Sequence, residues 1–143
     1  MIDIRQYHSS DLIELAQLMD DLGYPTTPEV MTRRMALFEL NPSYRTFVAT
    51  WDNKVVGMLG VNMTMNYESD DLVTHIISLV VGEAFQGKGI GKKLMSFIEA
   101  WAIDNGSQVL YLTSGIKEER KRAHEFYKRL GFDITGYRFI KRV

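Results

Sequence analysis

The sequence predicts a mixed α/β fold. Three observations predict it. Residues Ile76–Val81 form a continuous apolar run rich in β-branched side chains, the pattern of a buried strand. After a glycine-rich turn, the apolar positions Ile90, Leu94, Phe97, Ile98 and Trp101 recur along one face of a helix. Along the rest of the chain, segments of period two and period 3.6 interleave in the order β-α-α-β-β-β-α-β-α-β.

Composition limits what the chain can be. Its 143 residues, 45% hydrophobic and 24% charged, suit one soluble globular domain spanning residues 1–143. A net charge of −1 gives no electrostatic case for a nucleic-acid partner. Without cysteine there is no disulfide framework, thiolate metal site or catalytic thiol, and no metal is expected. The start, Met1–Arg5, lacks a signal-peptide pattern, and no apolar stretch approaches the ~18 residues of a membrane span. A cytoplasmic enzyme with no membrane partner is the expectation.

The elements follow in order. Ile2–Tyr7 alternates as a strand. Asp11-x-x-Glu14 resembles a capping box opening a helix whose buried face is Leu12, Leu15, Ala16, Met19 and Leu22, stopped by Gly23. Thr27 and Pro28 are N-cap and N1 of a second helix carrying Val30, Met31, Leu37 and Phe38, which ends near Asn41-Pro42. Tyr44–Trp51, a tight turn at Asp52-Asn53-Lys54, and Val55–Tyr67 make a hairpin. Within it, Gly57 and Gly60 are bulge or close-approach positions. Glu68–Asp71 is an acidic loop, either a solvated tip or a patch that attracts a cationic amine. Asn105-Gly106 caps the central helix. Gln108–Ser114 is a strand, and a last helix carries Ala123, Phe126, Tyr127 and Leu130. Gly131 ends that helix, with Phe132 placed for a Schellman contact, and Phe132–Val143 returns as a final strand.

The chemistry concentrates at Gln86-Gly87-Lys88-Gly89-Ile90-Gly91-Lys92. A strand, a glycine turn and a helix start place unpaired N–H groups and the positive end of the helix dipole together, with no Cβ to hold a phosphate away. Lys88, Lys92 and Lys93 add charge. We read it as a pyrophosphate site. A P-loop fits Gly82–Lys88 until Gly89 stands where a magnesium-binding hydroxyl belongs. The dinucleotide pattern Gly-x-Gly-x-x-Gly fails on spacing.

A third pattern, Gln/Arg-x-x-Gly-x-Gly/Ala, is met by Gln86, Gly89 and Gly91. Ala123-x-x-Phe126-Tyr127-x-x-x-Gly131-Phe132 is a second match, some 35 residues on. On these two motifs and the order of elements, the chain resembles the GCN5-related N-acetyltransferase (GNAT) superfamily. The resemblance implies a mixed, mostly antiparallel sheet of six to seven strands flanked by about four helices. It implies acetyl-CoA as cosubstrate, with its pyrophosphate on Gln86 to Lys92 (Gln86, Gly87, Lys88, Gly89, Ile90, Gly91, Lys92). It places backbone donors at Leu79, Val80 and Val81, where the strand bulges and splays, and puts the two N-terminal helices and their joining loop on the acceptor side. Tyr127 is implied as the acid that protonates the leaving thiolate.

Two positions depart from the family. Arg120 stands where many relatives carry asparagine, and it offers a cation to cofactor phosphate instead. Ile77 stands where many carry a glutamate and cannot take a proton. An attacking amine of lysine-like pKa, about 10.4, still needs a proton relay. His75 is one candidate base; Glu83 and the acidic loop are others. The expected activity is acetyl transfer from acetyl-CoA to a small-molecule amine by direct attack through a tetrahedral intermediate. A non-catalytic acyl-CoA-binding module and a P-loop nucleotide-binding protein remain alternatives, and a homodimer is an assembly the family allows.

Overall fold

A computed structural model describes residues 1–143, which divide into two compact units, Met1–Leu110 and Tyr111–Val143. The first unit begins with β1 (Ile2–Gln6), a 3-10 turn at Ser9–Asp11, and the helices α1 (Leu12–Leu22) and α2 (Pro28–Glu39). Then come β2 (Tyr44–Trp51), β3 (Lys54–Met65), β4 (Leu72–Val81), α3 (Ile90–Asp104) and β5 (Val109–Leu112), whose first two residues complete the unit. The sheet order is β1-β2-β3-β4-β5, and β1 to β4 are antiparallel neighbours. β4 and β5 are joined through a helix, the connection that a parallel neighbour requires. No helix is long and apolar enough to cross a membrane.

Local chemistry explains most boundaries. Asp52 and Asn53, at φ 51° and 63°, form the two-residue turn between the paired residues Trp51 and Lys54, as their sequence predicts. Thr27 Oγ1 accepts the Val30 N–H at 3.2 Å with Pro28 in the first turn, again as expected. Both faces of the sheet are covered. On one, Leu15, Leu18, Met31 and Met35 pack with Val48, Val55, Met58 and Val80. On the other, α3 buries Ile90, Leu94 and Ile98, and Phe47 meets Phe97 and Trp101 edge-on. A Cβ on Gly57 would stand 3.1 Å from Val80 O and 3.3 Å from the Leu94 side chain, so this glycine lets α3 approach the strands closely.

Several expectations are corrected. The Asp11–Glu14 capping box does not form. Asp11 instead takes the Arg5 guanidinium and the His8 N–H, and Glu14 Oε2 accepts the Val55 N–H at 2.7 Å. The Asp11 donors are local, three and six residues upstream, whereas Glu14 is claimed by a donor 41 residues away. On α2 the buried residues are Met31 and Met35, with Phe38 partly covered, while Leu37 is 70% exposed. The packed stripe runs i, i+4, i+7 from Met31 and bypasses Leu37. β4 starts at Leu72 and not at Ile76, because Thr74 and His75 break the apolar run without breaking the ladder.

In the second unit, a 3-10 turn at Glu118–Arg120 leads into α4 (Lys121–Arg129). Gly131, at φ 95°, ends the helix. Its N–H reaches Lys128 O at 3.0 Å, and the Phe132 N–H reaches Tyr127 O at 3.1 Å, with the Tyr127 and Phe132 rings 6.0 Å apart. That is the Schellman cap the sequence predicts. Residues 133–143 carry no regular secondary structure, so the sheet has five strands and not six to seven. Alternation at Tyr137, Phe139 and Ile140 supplies a strand-like pattern, but a strand exists only where a neighbour completes its ladder.

Candidate functional site

The glycine turn is built as its composition requires. A 3-10 turn, Glu83–Phe85, follows Gly82; Gln86 is extended, and Gly87 and Gly89 take φ of 77° and 81°. Gly89 is the N-cap of α3 and has no side chain to cap with. The first α-helical bond of α3 runs from the Lys93 N–H to Gly89 O at 3.1 Å, so the N–H groups of Ile90, Gly91 and Lys92 precede any intrahelical acceptor. A Cβ on Gly87 or Gly89 would meet nothing within 4 Å, so the space above the turn is open. Left-handed backbone, free amides and empty space together fit a phosphate. Beside the first turns of α3 lies a groove of about 640 Å³ lined by Ile4, Lys88, Gly89, Lys92, Lys93, Ser96 and Phe97.

The turn is braced from outside. Gly82 N–H donates to Val56 O at 2.8 Å, and Glu83 N–H to Asp21 Oδ2 at 3.1 Å. Phe85 packs against Trp51 with centroids 5.9 Å apart, and Lys88 Nζ sits 5.8 Å over the Trp51 ring. Gln86 Nε2 donates to Val81 O at 3.3 Å, so this motif side chain ties the turn back to β4.

β4 carries an irregularity, although not where the resemblance places it. Leu79, Val80 and Val81 pair regularly with Leu59, Met58 and Gly57. The register breaks between Gly60 and Val61, which pair with Ser78 and Ile76, leaving Ile77 as the extra residue. Ile77 is 43% exposed. Two residues earlier, His75 lies half-buried opposite Asn62, whose Oδ1 is 2.8 Å from Ser43 Oγ. Burial lowers the His75 pKa below its ordinary value of 6.5, which favours the neutral, proton-accepting imidazole.

In the second unit, Tyr127 sits on α4 between the rings of Phe126, at 5.4 Å, and Phe132. Burial raises its pKa above 10.0, with the Arg120 charge pulling the other way. The phenol is therefore protonated at neutral pH.

The model of the acetyltransferase (GNAT) family matches residues 12–132, a span that holds both motifs. The chain belongs to that family.

GNAT proteins are N-acetyltransferases that take the acetyl group from acetyl-CoA, and the free-amide turn of this GNAT chain suits that cosubstrate's pyrophosphate. The aminoalkylphosphonate N-acetyltransferase of Salmonella typhimurium is 31% identical over 102 residues, 71% of this chain and 65% of that protein. The chain thus spans a little under two thirds of that relative. YhdJ of Bacillus subtilis, an uncharacterized N-acetyltransferase, is 28% identical across the whole of both chains. The crystal structure of a GNAT family acetyltransferase from Staphylococcus aureus superposes with a TM-score of 0.86 at 26% identity, over 99% of this chain and 98% of that one.

The structure brings Gln86 to Lys92, Leu79 to Val81 and His75 onto one strand-turn-helix of this GNAT domain, while Arg120 and Tyr127 belong to the second unit. Sequence reading missed Trp51, Phe85 and Asp21 as supports of the turn. Nothing in the local sequence links Trp51 to Lys88 or Asp21 to Glu83, because such pairings exist only once the sheet is assembled.

Proposed function

We propose that this chain is one acetyltransferase domain, residues 1–143, that moves an acetyl group from acetyl-CoA to the amine of a small molecule. The observation that carries the reading is the left-handed Gly89 at the head of α3, with three backbone N–H groups in front of the first helical bond. In this reading Gln86 to Lys92 hold the pyrophosphate, and Arg120 adds a cation toward it. The backbone of Leu79 to Val81 receives the acetyl-pantetheine arm.

The chemistry balances as an acyl transfer. The amine nitrogen attacks the thioester carbonyl carbon, and the carbonyl oxygen becomes an oxyanion held by backbone N–H donors. Collapse breaks the C–S bond, with the C–N bond formed. The amine loses one proton, for which neutral His75 is the proposed acceptor, and the thiolate gains one, for which Tyr127 is the proposed donor. The small-amine acceptor rests on the balanced charge of the chain and on the aminoalkylphosphonate named for the Salmonella relative.

Thermal unfolding with acetyl-CoA, coenzyme A, or ATP with magnesium tests the cofactor. Ligand at about 100 times its Kd adds roughly 2.7 kcal/mol, a rise of roughly 5–10 °C for a chain of this size. A rise with acetyl-CoA and not with ATP is expected. A rise only with ATP and magnesium would overturn the reading in favour of a nucleotide. Release of free thiol from acetyl-CoA, screened over aminoalkylphosphonates, polyamines, aminoglycosides and amino acids, then identifies the acceptor. Binding without turnover on any amine would leave an acyl-CoA-binding module.

A further inference from the structure

The last turn of α1 is poorly designed as an isolated helix end. Asp20 and Asp21 place two carboxylates at the negative end of the helix dipole, and no basic residue accompanies them. A local cost of this kind points to a use elsewhere. Asp21 has one. Its Oδ2 accepts the Glu83 N–H at 3.1 Å, across 62 residues of sequence, and its Oδ1 accepts from Gln17 Nε2 at 3.1 Å. Glu83 opens the short turn that delivers the chain to Gln86 and Gly87.

The same contact has packing beneath it. Gly82 lies against α1 and β3 so closely that a Cβ there would be 3.4 Å from Val56 O and 3.6 Å from the Leu18 side chain. Immediately beyond Asp21, α1 ends at Gly23 and the connection of residues 24–27 leads into α2. That connection holds an enclosed hydroxyl without a protein partner, Thr26 Oγ1, a group with a hydrogen bond still to gain.

We infer that Asp21 is a positioning residue for acetyl-CoA binding, the strut through which occupancy of the turn at 86–92 is transmitted to the connection at 24–27. It touches neither cofactor nor acceptor. Through the Glu83 amide it fixes the entry of the glycine turn, and through the end of α1 it fixes the start of residues 24–27. The inference rests on the acetyl-CoA reading above.

Hydrogen exchange of the full chain with and without coenzyme A tests it, on wild type, Asp21→Ala and Asp21→Asn. In wild type, coenzyme A should slow exchange at residues 82–93 and also at Tyr24, Thr26 and Thr27. Asp21→Ala should bind coenzyme A about three- to tenfold more weakly, the worth of one hydrogen bond, and lose the slowing at 24–27. Asp21→Asn keeps an oxygen for the Glu83 N–H, and its amide can donate to Gln17, so it should restore both effects. Slowing at 82–93 with none at 24–27 in wild type would overturn the coupling and leave the cofactor reading intact. Asp21→Asn behaving like Asp21→Ala would overturn the hydrogen-bond role. No slowing at 82–93 would overturn the cofactor reading and this inference with it.

Discussion

The Arg5 guanidinium holds both carboxylate oxygens of Asp11, Nη1 to Oδ2 at 2.8 Å and Nη2 to Oδ1 at 2.9 Å. Asp11 is 3% exposed and also accepts the His8 N–H, so it carries the join between β1 and α1. Hydrogen bonding to Arg5 holds its pKa below the usual carboxylate range. A depressed carboxylate pKa stabilises the fold fully above the unfolded value, near 3.9, and that contribution is lost as pH falls through the folded value. Asp11→Ala should cost about 1–2 kcal/mol, since it removes a two-point charged contact whose guanidinium side chain is 38% exposed and regains water. Urea unfolding at pH 7 and pH 3 checks both statements, and the gap between variant and wild type should shrink at the lower pH.

Gly89 is the position at which the proposed cofactor contact and backbone strain coincide. At φ 81° any side chain is strained, so Gly89→Val is expected to cost about 1–2 kcal/mol of stability as well as acetyl-CoA binding. Gly89→Ala separates the two effects better. Its Cβ meets no protein atom within 4 Å, so a loss of coenzyme A affinity beyond tenfold would arise from the ligand's side. Calorimetric titration and thermal unfolding of the same sample give both numbers. Unchanged affinity in Gly89→Ala would remove the phosphate from this turn.

His75 should set the acidic limb of activity. Its pKa lies below 6.5, so the neutral base persists to lower pH than a free imidazole allows. The depressed value also means that stability is intact above the unfolded pKa and falls as pH drops through the folded one. Wild-type kcat/KM should decline only below pH 6.5. His75→Gln should lower the plateau about 10²-fold and flatten that limb. A variant with the wild-type pH profile would transfer the proton to another group or to water.

Tyr127→Phe keeps the ring between Phe126 and Phe132 and removes only the hydroxyl. If the phenol protonates the leaving thiolate, kcat should fall about 10²-fold with little change in acetyl-CoA KM. A change in KM alone would make Tyr127 a packing residue.

What was legible in the sequence was whatever local chemistry controls. The turn at Asp52-Asn53, the Thr27 cap, the stops at Gly23, Gly106 and Gly131, and the glycine turn into α3 all follow from residues a few positions apart. Backbone conformation and capping act at that range, which is why the shape of the glycine turn could be read from seven consecutive residues. Tertiary structure decided the rest. Whether Phe132–Val143 forms a strand depends on a partner to complete a ladder. Which β4 residue bulges depends on Gly60 across the sheet. The partners of Glu14 and Asp21 are the Val55 and Glu83 N–H groups, 41 and 62 residues away, donors that reach them only when the sheet and helices are packed. Periodicity states that a residue faces inward or carries charge. Only the assembled chain decides what it meets there, because hydrogen bonds and packing depend on distances of a few ångströms between segments far apart in sequence.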